Sequence, residues 1–415
     1  MRPVVDAAPF VALRHDPAVA GPFARTSAPA EDDLARLDYF SRLTASPYTV
    51  LHLFAGHDGG EDPAAAVARW RRLGVLREEP HPAMYRYEQH WLEGGVPRVL
   101  RGVLAAVSAR GAGGRRVAAH ERVDHARLDA GRRRRARSPV EAAPVTLLVD
   151  GADEGWRAPL DAPPPAPPTA ALTDEAGADH RLWRLPEQDA ARIRHALRGA
   201  HAVIADGHHR WRAAREQDAP GDDADPVGRV LALLTDASGS DGPRLDPVHL
   251  RLQRPANDPR RVLPSAATSL LPREGSHRTG SAPALPVPPQ GRVVCWVRGR
   301  EPSMIDLALA LGPEAMRGPA AWVRAVRERL LPRLGIDAAE ASPTADLDAS
   351  VADVAEGLAE GVLAQPALAV AEVVAAARAG SLLPAKSTRF APKPRVGLVL
   401  RRTDVAARGA APSAP

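Results

Sequence analysis

Val203-Ile-Ala-Asp-Gly-His-His-Arg-Trp-Arg-Ala-Ala-Arg215 decides how this chain is read. The apolar run from Ala202 to Ala205 predicts a buried strand. Asp206-Gly207 predicts a tight turn, and the residues from His209 onward predict a helix. A strand that enters a helix through glycine aims the first-turn N–H groups, which lack intrahelical acceptors, at whatever lies beyond the turn. Here the turn also carries two imidazoles and a guanidinium. Those donors suit a phosphate and are costly in a packed core. The plainer reading is an ordinary Asp-Gly connection into a polar helix start. A metal fits less well, because adjacent histidines diverge and no second ligand stands at i+4. His201 reads as surface or core filler.

Outward from this unit, strand-like and helix-like segments alternate. Val4 to Leu13, Tyr48 to Phe54, Met84 to Trp91, Val99 to Val107 and Ala143 to Val149 read as strands. So do Ala178 to Leu185, Arg229 to Thr235, Val248 to Leu252, Val293 to Val297 and Val396 to Leu400. Helices are expected over Asp32–Leu43, Asp62–Leu76, Glu187–Arg198, Ala320–Leu331, Leu347–Glu360 and Glu372–Ala379. The alternation predicts an α/β or α+β fold of mixed sheets with flanking helices. Asp161-Ala-Pro-Pro-Pro-Ala-Pro-Pro-Thr169 should be extended and stiff. It predicts a linker over 151–169 between an N-terminal α/β domain (1–150) and a second α/β domain (170–403). Weak periodicity predicts a mobile insertion over 253–290, and the tail 404–415 is expected to be disordered.

Composition narrows the class. At 415 residues, 45% hydrophobic and 25% charged, the chain resembles ordinary globular proteins. A single cysteine, Cys295, rules out a disulfide framework and a cysteine zinc site, and suits a reducing cytoplasm. No apolar stretch reaches membrane-spanning length, and the start lacks the apolar core of a signal peptide. Net charge is +5. Its most basic run, Arg132-Arg-Arg-Arg-Ala-Arg137, lacks interleaved aromatics, reads as a solvated loop, and argues against nucleic acid as partner. Of 55 basic residues only Lys386 and Lys393 are lysines, both inside Leu382-Leu-Pro-Ala-Lys-Ser-Thr-Arg-Phe-Ala-Pro-Lys-Pro394. Lysine is a compact charge on a thin stem, so its use there, where arginine serves everywhere else, marks the segment. Chance clustering is the plain alternative.

These residues carry a resemblance. Leu383-Pro-Ala-Lys-Ser-Thr-Arg-Phe-Ala-Pro-Lys393 with Gly397-Leu-Val399 resembles the "MPPKST-F-PK…GLV" ending of the DUF1015 family of uncharacterised proteins. Ile204-Ala-Asp-Gly-His-His-Arg210 matches its "IADGHHR", and His120-Glu-Arg122 its "PHE(K/R)T". The chain departs from the family at Ser27-Ala-Pro-Ala-Glu-Asp-Asp33, where "APPYDV" has lost its Pro-Tyr-Asp core. It departs again after Glu121 and at Pro247-Val-His-Leu250. The DGHHR turn, followed by Trp211-Arg-Ala-Ala214, is also similar to the phosphate-binding βα unit of the ParB/sulfiredoxin fold, which includes free serine kinases.

The resemblance implies a site. Gly207, His208, His209 and Arg210 would grip nucleotide phosphates, with ATP, ADP or CTP and Mg²⁺ as the expected cofactors. Lys386 would neutralise the terminal phosphate beside Ser387 and Thr388. Asp206, His120 and Glu121 would serve as acid/base or metal-facing groups. The implied activity is a small-molecule kinase, a phosphotransferase acting on a small hydroxylated metabolite such as free serine. The alternatives are a ParB-like nucleotide-binding module and a phosphatase of a phosphorylated metabolite. Loss of the Pro-Tyr-Asp core favours the binding module over the kinase. Glu31, Asp32 and Asp33 read as a helix N-cap and first-turn acids, and His249 as a minor candidate.

Overall fold

The strand Val96–Ser108 shows why the core forms where it does. Its inner half is buried throughout, and alternate residues face opposite ways. Val103, Ala105 and Val107 join one apolar cluster with Val145, Leu147, Ile204, Leu234 and Ile193. Leu104 and Ala106 join another with Tyr85, Tyr87, Leu182 and Leu233. A strand covered on both faces reads as a continuous apolar run, and this one does. Gly102 lets the neighbouring strand approach, since a Cβ there would stand 2.5 Å from the Leu234 carbonyl oxygen.

The computed structural model describes residues 5–30, 33–34, 36–54, 61–164, 167–216, 228–237, 241–271 and 283–403. Two contact units divide the chain. The first is Met1–Ala119, Val123–Pro243 and Pro392–Pro415, and the second is His120–Arg122 with Arg244–Ala391. The division does not follow the proline-rich stretch. Asp179–Arg184 pairs with Tyr85–Glu93, and His201–Asp206 pairs with Val145–Asp150, so segments on both sides of 151–169 share one sheet.

That nine-stranded mixed sheet runs Val117–Ala118, His201–Asp206, Val145–Asp150, Arg229–Asp236, Val96–Ser108, Tyr85–Glu93, Asp179–Arg184, Ala170–Thr173, with Ala7–Ala8 pairing onto Val96–Ser108. Its first and third pairings are parallel by register with Val117–Ala118 and Val145–Asp150, and the rest are antiparallel. A smaller sheet of the same unit orders Leu76–Glu78, Ala12–His15, Leu400–Arg402 and Val140–Glu141. The second unit holds a six-stranded antiparallel sheet and a two-stranded ribbon, Arg244–Asp246 with Arg389–Ala391. The expected α/β class with mixed sheets and flanking helices is therefore what the chain adopts.

Several local expectations change. Tyr48 to Phe54 is not a strand but a 3₁₀ turn over Val50–Leu53, because Val50, Leu51 and Leu53 all face inward, a spacing that a period of two does not produce. The arginine run is not a loop. His125–Arg137 is a helix whose N-cap, Asp124, accepts from the Arg127 amide at 2.8 Å. Val4 to Leu13 is interrupted at Pro9, which cannot donate to a ladder, and Val396 to Leu400 is interrupted at Gly397 (φ +87°). Within 253–290 the described part holds a short helix, Pro259–Val262, and a strand, Thr268–Leu270. The tail 404–415, Glu31 and Asp32 lie outside the described residues.

Candidate functional site

The strand His201–Asp206 and the helix His208–Arg215 meet at Gly207, which has φ +92°. Only glycine adopts that angle without strain. Space adds a second constraint: a Cβ at Gly207 would stand 3.1 Å from both Val145 Cγ2 and Arg210 Nη2. With no side chain, Gly207 caps none of the first-turn amides of the helix that follows. The sheet's apolar packing holds the strand, and buried Trp211 and Ala214 hold the helix against the same cluster.

At the turn, Asp206 sits between two cations. Arg210 Nη2 donates to Asp206 Oδ2 at 2.5 Å, and Lys393 Nζ lies 3.3 Å from Asp206 Oδ1. Arg210 Nη1 also donates to the carbonyls of Ala143 and Pro144, each at 2.8 Å. The guanidinium therefore ties the turn to the neighbouring strand's entry. Lys393 is the residue that sequence reasoning missed, although its shared segment with Lys386 was the available signal. His208 is buried, and His209 accepts the Asp124 amide at Nε2, 3.2 Å away, which leaves the proton of a neutral ring on Nδ1. His209 thus links the turn to the N-terminus of the arginine-rich helix. Farther along, Arg132 of that helix and Arg212 both pair with Glu216.

The other predicted residues form a second cluster, in the second unit. Main-chain bonds align the two segments: the Leu383 amide donates to the His120 carbonyl at 2.7 Å, and the Arg122 amide to the Leu383 carbonyl at 2.9 Å. The Glu121 carboxylate then receives the amides of Lys386, Ser387 and Thr388 at 3.1, 3.0 and 2.7 Å. Lys386 at φ +59° turns these consecutive N–H groups toward one point, a concavity suited to an anion. The Thr388 hydroxyl donates to Glu121 as well, so His120 Nε2, 2.7 Å from that hydroxyl, is the donor to it. His120 is fully buried, edge-on to Phe390. Ser387 Oγ donates to the Pro384 carbonyl. In this cluster the chain's own carboxylate fills the amide cradle.

Asp206 to Arg210 and Lys393 thus come together in one unit, and His120, Glu121 and Lys386 to Thr388 in the other. His249, in the second unit, is buried and accepts the Gln365 amide at Nδ1 (3.0 Å), and burial holds its pKa below the usual value. Among the described residues no group of three or more His, Cys, Asp or Glu is placed to hold a metal ion.

A family model described as a protein of unknown function (DUF1015) matches residues 7–258. No curated protein matches the chain. Solved structures that the chain matches include a free serine kinase in complex with AMP, 15% identical, with 68% of this chain and 89% of that one covered at a TM-score of 0.34. SbnI with C-terminal truncation from Staphylococcus aureus is 12% identical, with 71% and 87% covered at 0.36. A conserved hypothetical protein from Pyrococcus furiosus is 14% identical, with 68% and 93% covered at 0.33.

Proposed function

The chain belongs to the DUF1015 family of proteins of unknown function, and for it we propose nucleotide-phosphate binding at the Gly207 turn, serving phosphoryl transfer to a small hydroxylated metabolite such as free serine. The observation that carries this reading is the Gly207 turn itself: a left-handed glycine, an uncapped helix start and a carboxylate flanked by Arg210 and Lys393. A helix N-terminus whose cap residue supplies no side chain favours an anion. Phosphoryl transfer asks chiefly for positioning and charge neutralisation. His209 and the turn amides would hold phosphate oxygens. Lys393 would exchange Asp206 for the transferred group, which frees that carboxylate to accept the acceptor hydroxyl's proton. Mg²⁺ keeps much of its shell as phosphates and water, so a nucleotide-borne ion would be held by those groups, which leaves Asp206 to the proton.

The competing reading, a nucleotide-binding module without transfer, is favoured by one observation: Asp206 is already held on both oxygens. Calorimetric titration of ATP, ADP and CTP with Mg²⁺ decides binding, and ³¹P NMR with serine as acceptor decides transfer. His209→Gln keeps an acceptor for Asp124 and should weaken nucleotide binding at least tenfold. At a hundredfold excess over Kd the nucleotide should stabilise the wild type by about 2.7 kcal/mol. Equal binding by wild type and His209→Gln would remove the turn from the site. Binding without phosphoserine would leave the module reading. Lys386→Met in the same titration tests the second cluster by itself.

A further inference from the structure

Lys393 stands between two prolines, in Pro392-Lys-Pro-Arg395. Pro394 fixes its own φ and disfavours the helical region for the residue before it, and Pro392 fixes the φ one step earlier. Few backbone rotations therefore separate Lys393 from Arg395. What fixes Arg395 also fixes the root of the lysine whose ammonium lies 3.3 Å from Asp206 Oδ1 at the Gly207 turn.

Arg395 is 4% exposed and is bonded through both its main chain and its guanidinium. Its main-chain N–H donates to the Tyr87 hydroxyl at 3.1 Å. Its guanidinium donates from Nε to Ser27 Oγ at 3.0 Å, from Nη1 to Glu175 Oε2 at 3.0 Å and from Nη2 to the Ala24 carbonyl at 3.3 Å. Burial works to raise the Glu175 pKa, and the bonds from Arg395 and Arg42 outweigh it and hold it at about 2. Beyond Arg395, Val396 and Ala28 exchange main-chain hydrogen bonds of 2.8 and 3.0 Å, and Leu398 and Val399 join Tyr87 in one apolar cluster.

The hydroxyl that receives Arg395 is itself fixed. Tyr87 stands on Tyr85–Glu93 and His180 on the neighbouring strand Asp179–Arg184, where His180 pairs with Gln89, so both side chains lie on one face of the sheet. Tyr87 Oη lies 2.8 Å from His180 Nδ1, and His180 Nε2 lies 3.0 Å from Asp174 Oδ2. The carboxylate takes the Nε2 proton, which leaves Nδ1 to accept from the hydroxyl and the hydroxyl oxygen to accept from Arg395. Burial lowers the His180 pKa against the pull of Asp174, which favours that neutral ring. Asp174 Oδ1 also takes the amides of Ala176 and Ala178 at 2.9 and 2.8 Å, so one tight turn grips His180 through Asp174 and Arg395 through Glu175. Tyr87 and His180 are 1% and 2% exposed, which puts them out of a substrate's reach.

We propose that Arg395 is a positioning residue for Lys393. The Tyr87–His180–Asp174 chain fixes Arg395, the prolines carry that constraint to Lys393, and a phosphate that arrives at the Gly207 turn meets an ammonium already in place. The inference rests on the reading of that turn as a phosphate site. A side chain whose place is set before binding loses less freedom when the ligand arrives, so the groups that support it show in affinity although they touch no ligand.

Lysine labelled with ¹³C and ¹⁵N in the full chain tests this, because Lys386 and Lys393 are its only lysines and Lys386 belongs to the other unit. Lys386→Met assigns the signals. Side-chain spectra are compared for wild type, Tyr87→Phe and Arg395→Lys, each well below its own Tm, alongside calorimetric titration of ATP with Mg²⁺. Tyr87→Phe removes the hydroxyl and keeps the ring, and Arg395→Lys keeps the charge beside Glu175. Both should move the Lys393 ammonium signal toward that of free lysine, leave the Lys386 signal where it is, and weaken nucleotide binding about tenfold. A Lys393 signal at its wild-type position in both variants overturns the proposal. So does a displaced Lys393 signal with unchanged affinity. A shift of both lysines together would make Arg395 a prop for the whole fold, and overturns it too. Failure of the wild type to bind nucleotide defeats the reading of the Gly207 turn instead, and the Lys393 signal then decides the positioning by itself.

Discussion

Gly207 is the residue on which the turn depends, for two separate reasons. Its φ of +92° penalises any side chain, and a Cβ would press on Val145 and Arg210 at 3.1 Å. Gly207→Ala should destabilise the fold by about 1–3 kcal/mol, read as a lower urea midpoint at unchanged slope. A midpoint equal to wild type would show that the turn relaxes freely. Asp206→Asn removes the charge that both Arg210 and Lys393 face, with the three side chains 25%, 40% and 11% exposed. The partial exposure of Arg210 screens that pair, so the expected loss is modest, about 1 kcal/mol. Asp206 and Gly207 were legible as a turn because adjacent residues in the chain make it. Lys393 was not, because only folding brings it to Asp206.

Elements obey local rules until burial overrides them. The helix His125–Arg137 looks unfavourable as a solvated run of arginines, but arginine is a good helix former and Asp124 caps the first turn. Asp124→Ala should cost about 1 kcal/mol and lower thermal stability correspondingly. Full wild-type stability in that variant would mean that tertiary packing alone sets the helix start. Arg135 near its end joins Glu141, which also accepts from Arg401 (2.8 Å) and from the Leu231 amide (2.7 Å). Burial raises the Glu141 pKa, but the charges of Arg401 and Arg135 outweigh it and hold it down to about 2. Glu141→Gln leaves two arginines facing a neutral group, and the expected loss is about 3 kcal/mol by chemical denaturation. Periodicity found the long strands and the two-faced helices. It missed Gly361–Ala364, a four-residue strand with every position buried, because so short a run carries no period.

For the whole molecule, acid stability follows from His15 and Glu141. Burial holds the His15 pKa at about 4, against an ordinary 6.5, beside Trp70. A lowered folded pKa means that the unfolded chain binds the proton first, so stability is complete above pH 6.5 and is lost as pH falls toward 4. A shift of that size corresponds to about 3 kcal/mol. Glu141 adds a later loss, beginning below its ordinary 4.5 and running toward pH 2. Stability measured from pH 8 to 3 should therefore fall first between 6.5 and 4, and His15→Phe should make that fall shallower while keeping the lower one, with His180 and His249, whose pKa values burial also lowers, supplying the remainder. A variant with the wild-type slope between 6.5 and 4 would place the proton uptake elsewhere. Among the described residues no helix is long and apolar enough to cross a membrane.

The sequence by itself determined the α/β class, the strand–Gly207–helix turn and the family, since these rest on periodicity, turn chemistry and contiguous motifs that neighbouring residues express without help. The tertiary structure alone decided that Ala170–Thr173, Asp179–Arg184, His201–Asp206 and Arg229–Asp236 share a sheet with Tyr85–Glu93 and Val96–Ser108 across the proline-rich stretch. It decided that Glu121 occupies the amide cradle of Lys386, Ser387 and Thr388, and that Asp206 takes Lys393. The reason is physical: a local pattern reports which face of an element is apolar, whereas pairing of charges and donors depends on which distant segments burial brings within hydrogen-bond reach.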